Sequence, residues 1–196
     1  MEDKRQNSMV NETIYSEYKL RSILIKQDIP DHFLNTPYET LLMSHNLGEK
    51  FQNFDRAQLL IIMCMDNRNY LRLPVKFAYI IRTAGARITG NEFQLSFAIG
   101  YGDIKHIAII THTMCGMVKV TGKKEKLTTG LVKNAGWSRR DADIHFDTFA
   151  PKFEIKDEIS FAENERIRLN QLYPRITCSP FLYKIEDDKL YCIESD

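Results

Sequence analysis

LLIIMCMDNR (Leu59–Arg68) and IAIITHTMCG (Ile107–Gly116) are the stretches on which the reading of this chain turns. Each opens on an apolar run and closes on groups that do chemistry. Leu59 to Cys64 and Ile107 to Thr111 have the length of buried strands, and Phe77 to Ile81 is a third run of the same kind. Between the last two, Phe93, Phe97 and Tyr101, with Leu95 and Ile99, predict a largely buried helix closed by Gly100 and Gly102. Strands alternating with helices predict an α/β fold, a mostly parallel central sheet flanked by helices.

Downstream, Asp157 to Leu172 reads as an amphipathic helix stopped by Pro174. Strand-like Ile176 to Tyr183 and Leu190 to Ile193 follow, around a polar Glu186, Asp187, Asp188 turn. Gly116 to Pro151 shows no clear period. Upstream, residues 1–54 read as an N-terminal helical arm ahead of the α/β domain at 55–196. Thr36, Pro37 and Glu39 have the N-cap, first-turn proline and capping-box acid of a helix start, and Tyr38, Leu41, Leu42 and His45 recur at helical spacing before a stop at Gly48. Ile14, Tyr18, Ile23 and Ile25 predict an earlier helix ended before Pro30. An apolar arm of this kind has to pack either on its own domain or on a partner's.

Composition narrows the classes. With 27 basic and 26 acidic residues among 196, and 43% apolar residues, the chain is an ordinary globular one, neither disordered nor fibrous. The longest stretch free of Asp, Glu, Lys and Arg is His106 to Val118, short of the roughly twenty apolar residues of a membrane span. A net charge of +1 provides no field for a phosphate backbone, so neither nucleic acid nor membrane is the expected partner. Met1 to Asn11 is polar and has no secretory core, which makes the cytoplasm the expected compartment. Four cysteines in a chain of this length then read as ligands, nucleophiles or core residues rather than a disulfide frame.

Ligands of open parallel sheets gather beyond the carboxyl ends of the strands. If right-handed crossovers place the Leu59 strand between the Phe77 and Ile107 strands, Cys64, His112 and Cys115 converge there. Two thiolates and an imidazole suit zinc and leave a fourth position open. Cys115 precedes Gly116 at an expected helix start, where amide donors and the helix dipole favour a thiolate. Taken singly, Cys64 reads as a core cysteine and His112 as a hydrogen-bonded core histidine. At the ends of two neighbouring strands, the three together point to metal. Asp66 and Arg68, two apart beyond Cys64, are placed for a fork-like ion pair in a turn. As a solvated surface pair they would be worth little, and it is the adjacent metal ligand that gives them weight. Asp66 is also a candidate fourth ligand.

Cys64-x-Asp66-x-Arg68 and His112-x-x-Cys115-Gly116 resemble the paired signature of the beta-class carbonic anhydrases. Ile80 to Ala86 is similar to that family's Arg-Asn-Ala-Gly segment, and Ser96 to Met117 to its helix, strand and His-x-x-Cys-Gly block. The resemblance covers residues 55–118 strongly, and the Cys-Met-Asp start and short length are similar to a compact bacterial and archaeal subgroup. It implies zinc held by Cys64, His112 and Cys115, and an Asp66 that either ligates zinc or pairs with Arg68. It further implies reversible hydration of carbon dioxide to bicarbonate by a zinc-bound hydroxide, which zinc makes available by lowering the pKa of its water toward about 7. Apolar arms of this family embrace a second subunit, so a homodimer or a multiple of it is expected.

Two residues depart from the family pattern. Thr83 stands where Asn is usual, and Met114 where the compact subgroup often has Asp. Neither removes a ligand, but both bear on the polarity of the pocket and its route for protons. A hydrolase of carbon disulfide or carbonyl sulfide in the same family is an alternative, as is a non-catalytic zinc protein with Asp66 permanently ligated. A thiol redox role ranks below these, because Cys178 and Cys192 lack Cys-x-x-Cys spacing. His106 reads as a strand-entry residue, and His32, His45 and His145 have no ligand partners at clear spacing.

Overall fold

The computed structural model describes residues 18–195. Six strands form one sheet: β1 (Tyr18–Ser22), β2 (Leu59–Cys64), β3 (Ala78–Thr83), β4 (His106–His112), β5 (Thr177–Lys184) and β6 (Lys189–Ser195), in the spatial order β1-β6-β5-β4-β2-β3. The pairs β3–β2, β2–β4 and β4–β5 are parallel, whereas β5–β6 and β6–β1 are antiparallel. The helices are α1 (Pro37–His45), α2 (Glu92–Gly100), α3 (Lys124–Ala135), α4 (Arg139–Phe153) and α5 (Glu158–Leu172).

Both faces of the sheet are covered, which is why β2 is apolar along its whole length. Leu59, Ile61 and Met63 point to one side with Ala108, Ile110, Phe181 and Tyr183, and meet Phe33, Tyr38, Leu41 and Leu42. Leu60 and Ile62 point to the other with Ile107, Ile109 and Leu182, and meet Leu95, Ala98, Ile159, Ala162 and Leu169. The period of two along each strand divides the core in this way.

Helix α1 begins as its sequence dictates. The Thr36 side chain accepts from the Tyr38 N–H at 3.2 Å, and Glu39 accepts from the Asn35 N–H at 2.7 Å. Tyr38 then fixes the helix to the sheet, its hydroxyl donating to the carbonyls of Ile107 at 3.0 Å and Thr177 at 2.7 Å. Asn46 ties the end of the helix to Ile23 and Leu190 through its amide. The described part of the arm therefore packs on its own sheet.

Two expectations are overturned. The earlier helix is not formed over Tyr18 to Ile25. Tyr18–Ser22 is the edge strand β1, paired with β6, and two 3-10 turns follow at Lys26–Asp28 and Asp31–Phe33. Tyr18 and Leu20 alternate with Lys19 and Arg21, a period of two that four scattered apolar positions concealed. Ile14, assigned to the same helix, lies outside the described residues. Helix α2 does form, but its aromatic stripe is not buried in this chain. Leu95 and Ala98 face the sheet, while Phe93 and Tyr101 are 80% and 81% exposed. Gly102 ends the helix where a Cβ would lie 2.6 Å from the Ala98 carbonyl oxygen.

The stretch that showed no period, Gly116 to Pro151, holds a 3-10 turn and the pair α3 and α4, with Pro151 in the last turn of α4. Asp157 caps α5, accepting from the Ser160 N–H at 2.7 Å.

His45 carries the first prediction. It is fully buried beneath Tyr183, its Nδ1 accepts from the Arg72 N–H at 3.2 Å, and its Nε2 has no partner. Burial, with Arg72 and Lys189 nearby, pushes its pKa down to about 4. An unfolded histidine takes its proton near about pH 6.5, whereas the folded chain resists doing so until about pH 4. Stability is thus intact above about pH 6.5 and falls as the pH drops toward 4, by up to about 3 kcal/mol from this residue. Urea unfolding across that window is expected to show the decline in the wild type and a shallower one in His45→Gln. Parallel pH profiles would contradict the assignment.

Candidate metal centre

The adjacency of β2 and β4 brings the two motif ends together. Met63 is in register with Ile110, so Cys64 at the end of β2 lies beside the last residues of β4. One donor atom from each of Cys64, His112 and Cys115 falls within 4.8 Å of the others, and all three residues are buried. This is the one group of three or more His, Cys, Asp or Glu residues so disposed among the described residues. A tetrahedral zinc with its usual bond lengths needs donors roughly 3.5–3.8 Å apart, within that span.

The histidine is prepared for a metal. Its Nδ1 lies 2.9 Å from the Thr113 carbonyl oxygen, which in the neutral ring makes Nδ1 the protonated nitrogen. Nε2 is then a lone-pair donor, buried and without a hydrogen-bond partner in the protein. A buried polar atom left unsatisfied costs stability, and a metal ion would satisfy it.

The two cysteine sulfurs shift one another in opposite directions. Cys64 is held well below the ordinary thiol range, first by the neighbouring Cys115 thiol, then by His112 and the backbone N–H groups of Asp66 and Gly85, all acting against burial. Cys115 is pushed above that range by the Cys64 sulfur and by burial. Burial lowers the His112 pKa, but attraction to the Cys64 sulfur and the Thr113 carbonyl outweighs it, and the net shift is upward. Gly85 can bring its amide to Cys64 because its φ is +66°, and its missing Cβ leaves room for Met117.

Cys115 does not start a helix, contrary to expectation. Residues 113–119 form turns, and α3 begins only at Lys124. The amide of Cys115 instead donates to Glu158 Oε1 at 3.1 Å, and its sulfur is steadied by the Met117 N–H. Glu158, in the first turn of α5, is buried, and that burial raises its carboxyl pKa.

Asp66 stands outside the three-residue group, in a two-pronged ion pair. Arg68 Nε and Nη2 donate to Asp66 Oδ1 and Oδ2 at 3.0 and 2.7 Å, and the Arg68 N–H donates to Oδ1 at 2.9 Å. The Arg68 side chain and amide hold the Asp66 carboxyl down at about 2. Arg68 Nη2 also donates to the Met114 carbonyl oxygen at 3.1 Å, bridging the two motifs.

Arg82 is a site residue that the reading of the motifs did not single out. Its Nη1 donates to the carbonyls of Cys64 at 3.0 Å and Asp66 at 3.3 Å and to Asn69 Oδ1 at 3.1 Å, while Nη2 donates to the Asn69 carbonyl at 2.9 Å. It thereby fixes the loop that carries Asp66 and Arg68. Its signal in the sequence was its place as the arginine of the Ile80 to Ala86 segment, to which no role was assigned. Thr83, in register with Cys64, keeps its hydroxyl buried and without a hydrogen bond. Met114 is 56% exposed and left-handed, with φ +58°. The remaining histidines lie apart from the group: His106 enters β4, and His145 sits on α4 between Trp137 and Phe149.

Comparison with known proteins adds three findings. A family model described as carbonic anhydrase matches residues 59–184. A carbon disulfide hydrolase of Saccharolobus solfataricus is 26% identical over 162 residues, 68% of this chain and 76% of the relative. Among solved structures, a carbonic anhydrase from Glaciozyma antarctica superposes with a TM-score of 0.56 at 23% identity, covering 70% of this chain and 83% of that one. A beta-carbonic anhydrase from Trichomonas vaginalis does so with a TM-score of 0.57 at 19% identity, covering 86% of this chain and all of that one. At these identities the solved structures establish the fold.

Proposed function

The chain belongs to the beta-class carbonic anhydrase family, and from that premise we propose that it is a zinc enzyme that reversibly hydrates carbon dioxide to bicarbonate. The observation carrying this reading is the buried Cys64, His112 and Cys115 group with its unpartnered His112 Nε2, beside an Asp66 carboxylate held by Arg68. Zinc held by these three residues would supply a Lewis acid that makes water nucleophilic near neutral pH.

The residues of the chain do the rest. Cys64 and Cys115 would bind as thiolates, and the amides of Asp66 and Gly85 help to carry the charge on Cys64. Thr113 holds the His112 ring through Nδ1, which leaves Nε2 as the nitrogen that would bind the metal. Asp66, kept ionised by Arg68, accepts a hydrogen bond from the attacking water and aims its lone pair at carbon. By pairing with both Asp66 oxygens, Arg68 would also keep that carboxylate from serving as a fourth ligand. Asp66 and Arg68 are accordingly the proposed catalytic pair, and Asp66 becomes a ligand only in a closed, inactive arrangement.

The family also supports a second reading, hydrolysis of carbon disulfide or carbonyl sulfide, because a curated relative carries the first of these activities in its name. Met114, exposed beside the Arg68 contact, gives the surroundings an apolar thioether instead of an acid. That suits any uncharged linear substrate and offers no carboxylate to relay the proton released in each cycle. Stopped-flow assays of the zinc-loaded chain are expected to show carbon dioxide hydration whose rate rises with buffer concentration. Turnover of a sulfur substrate alone would establish the second reading. Inactivity toward all three, with zinc bound, would favour the non-catalytic one.

Assembly as a homodimer, or an even multiple of it, belongs to the same proposal. Phe93 and Phe97 on α2, Tyr101 at its C-cap, and Tyr79 and Ile80 on the outer strand β3 leave a contiguous apolar face uncovered within one chain. Light scattering of the full chain is expected to give at least twice the 22.9 kDa of a monomer, and Phe93→Asp with Phe97→Asp should lower it. A wild-type monomer would contradict this. No helix among the described residues is long and apolar enough to cross a membrane. All four cysteines are free, which supports a reducing compartment such as the cytoplasm.

A further inference from the structure

Met114 C=O and Cys115 N–H are the two ends of one peptide unit, and a charged side chain holds each of them. Arg68 Nη2 donates to the carbonyl at 3.1 Å, and Glu158 Oε1 accepts from the amide at 3.1 Å. We propose that Glu158 is a positioning residue for the metal centre: with Arg68 it clamps the Met114–Cys115 peptide plane and so fixes where the Cys115 sulfur points. This rests on the reading of Cys115 as a metal ligand.

Three features of the site support this role. The peptide needs holding, because Met114 occupies the left-handed region at φ +58°, which a side chain with a Cβ disfavours, and no regular element spans residues 113–119. Glu158 is costly to keep where it is. It is 7% exposed and makes no ion pair among the described residues, so the burial of its polar atoms has to be offset by the amide that donates to it. Asp157 caps α5 through Ser160, and the Glu158 carboxyl, besides meeting its own N–H, reaches out of the helix to the Cys115 amide. A buried carboxyl that accepts from the backbone N–H of a metal-site cysteine fits an outer-shell acceptor.

The clamp also joins Cys115 to the Asp66 arrangement. Arg68 Nη2 serves both Asp66 Oδ2, at 2.7 Å, and the Met114 carbonyl. Glu158 holds the far end of the same peptide, so the Cys115 ligand and the guanidinium that restrains Asp66 stay in one register.

The test uses the full chain and begins without zinc. Hydrogen exchange should find the Cys115 amide protected in the wild type and exposed in Glu158→Ala, and the same variant should alkylate faster at Cys115. After zinc loading, Glu158→Ala should release the ion to a chelator about tenfold faster or more. Glu158→Gln keeps an oxygen acceptor and should stay near wild type in all three measurements. An unprotected Cys115 amide in the wild type overturns the clamp without any variant, which covers the case of a Glu158→Ala chain that does not fold. Unchanged exchange, alkylation and release in Glu158→Ala would overturn it as well. So would a Glu158→Gln chain as impaired as Glu158→Ala, since charge rather than acceptor geometry would then be at work. If Cys115→Ser retained stoichiometric zinc, the metal reading would fail separately, because exchange at Cys115 reports on the clamp whether or not zinc binds.

Discussion

His112→Ala is expected to reduce bound zinc from one per chain to a small fraction and to cut carbon dioxide hydration by more than about 100-fold. The ring supplies the one nitrogen of the group. Its Nδ1 contact with Thr113 leaves Nε2 buried beside the cysteines and free of a conventional hydrogen-bond partner, as a metal ligand requires. Without it, the two cysteines remain alone, a poorer site than two thiolates and an imidazole. Cys64→Ser and Cys115→Ser, made separately, should lose zinc in the same way. Elemental analysis of the purified chains measures occupancy, and circular dichroism checks that each still folds. Stoichiometric zinc in all three variants would place the ion elsewhere.

Arg68→Ala should lower activity about 100-fold or more while zinc remains bound. The arginine makes side-chain hydrogen bonds to both Asp66 oxygens and keeps that carboxyl ionised down to about pH 2. Removing it returns the carboxyl toward its ordinary range and frees it to turn toward the metal. Four protein ligands would then leave no position for water. Because Asp66 in the wild type does not titrate near neutrality, a rise in wild-type activity with pH reports ionisation of the reacting water and not of this pair. An Arg68→Ala chain fully active across the neutral range would remove the role proposed for it. Loss of zinc in that variant would make Arg68 part of the metal-holding frame instead.

The sheet was legible where burial on both faces removes every polar choice. β2 occupies the predicted Leu59–Cys64, and β3, β4 and β5 fall within a residue or two of their apolar runs, in the expected second, first, third order. The convergence of Cys64, His112 and Cys115 followed from that order. What was not legible depended on contacts between segments distant in sequence. Tyr18–Ser22 has too few residues for its alternation to stand out, and its identity as a strand comes from pairing with β6 near the other end of the sequence. The aromatic stripe of α2 looks like a core face in sequence, because apolar spacing does not say whether the partner lies in the same chain. Helices α3 and α4 are held partly by exposed ion pairs such as Arg139 with Glu125 and Asp143, which give a weak apolar period. Glu158 and Arg82 lie outside both motifs and reach the site only through the packing of α5 and the register of β3.

X-ray absorption at the zinc edge, on the zinc-loaded full chain at neutral pH, tests the central claim most directly. A centre built by Cys64, His112 and Cys115 predicts two sulfur neighbours near about 2.3 Å and two lighter neighbours near about 2.0 Å, one of them showing the outer-shell scattering of an imidazole ring. A first shell without sulfur, or one with three or four sulfurs, would contradict it.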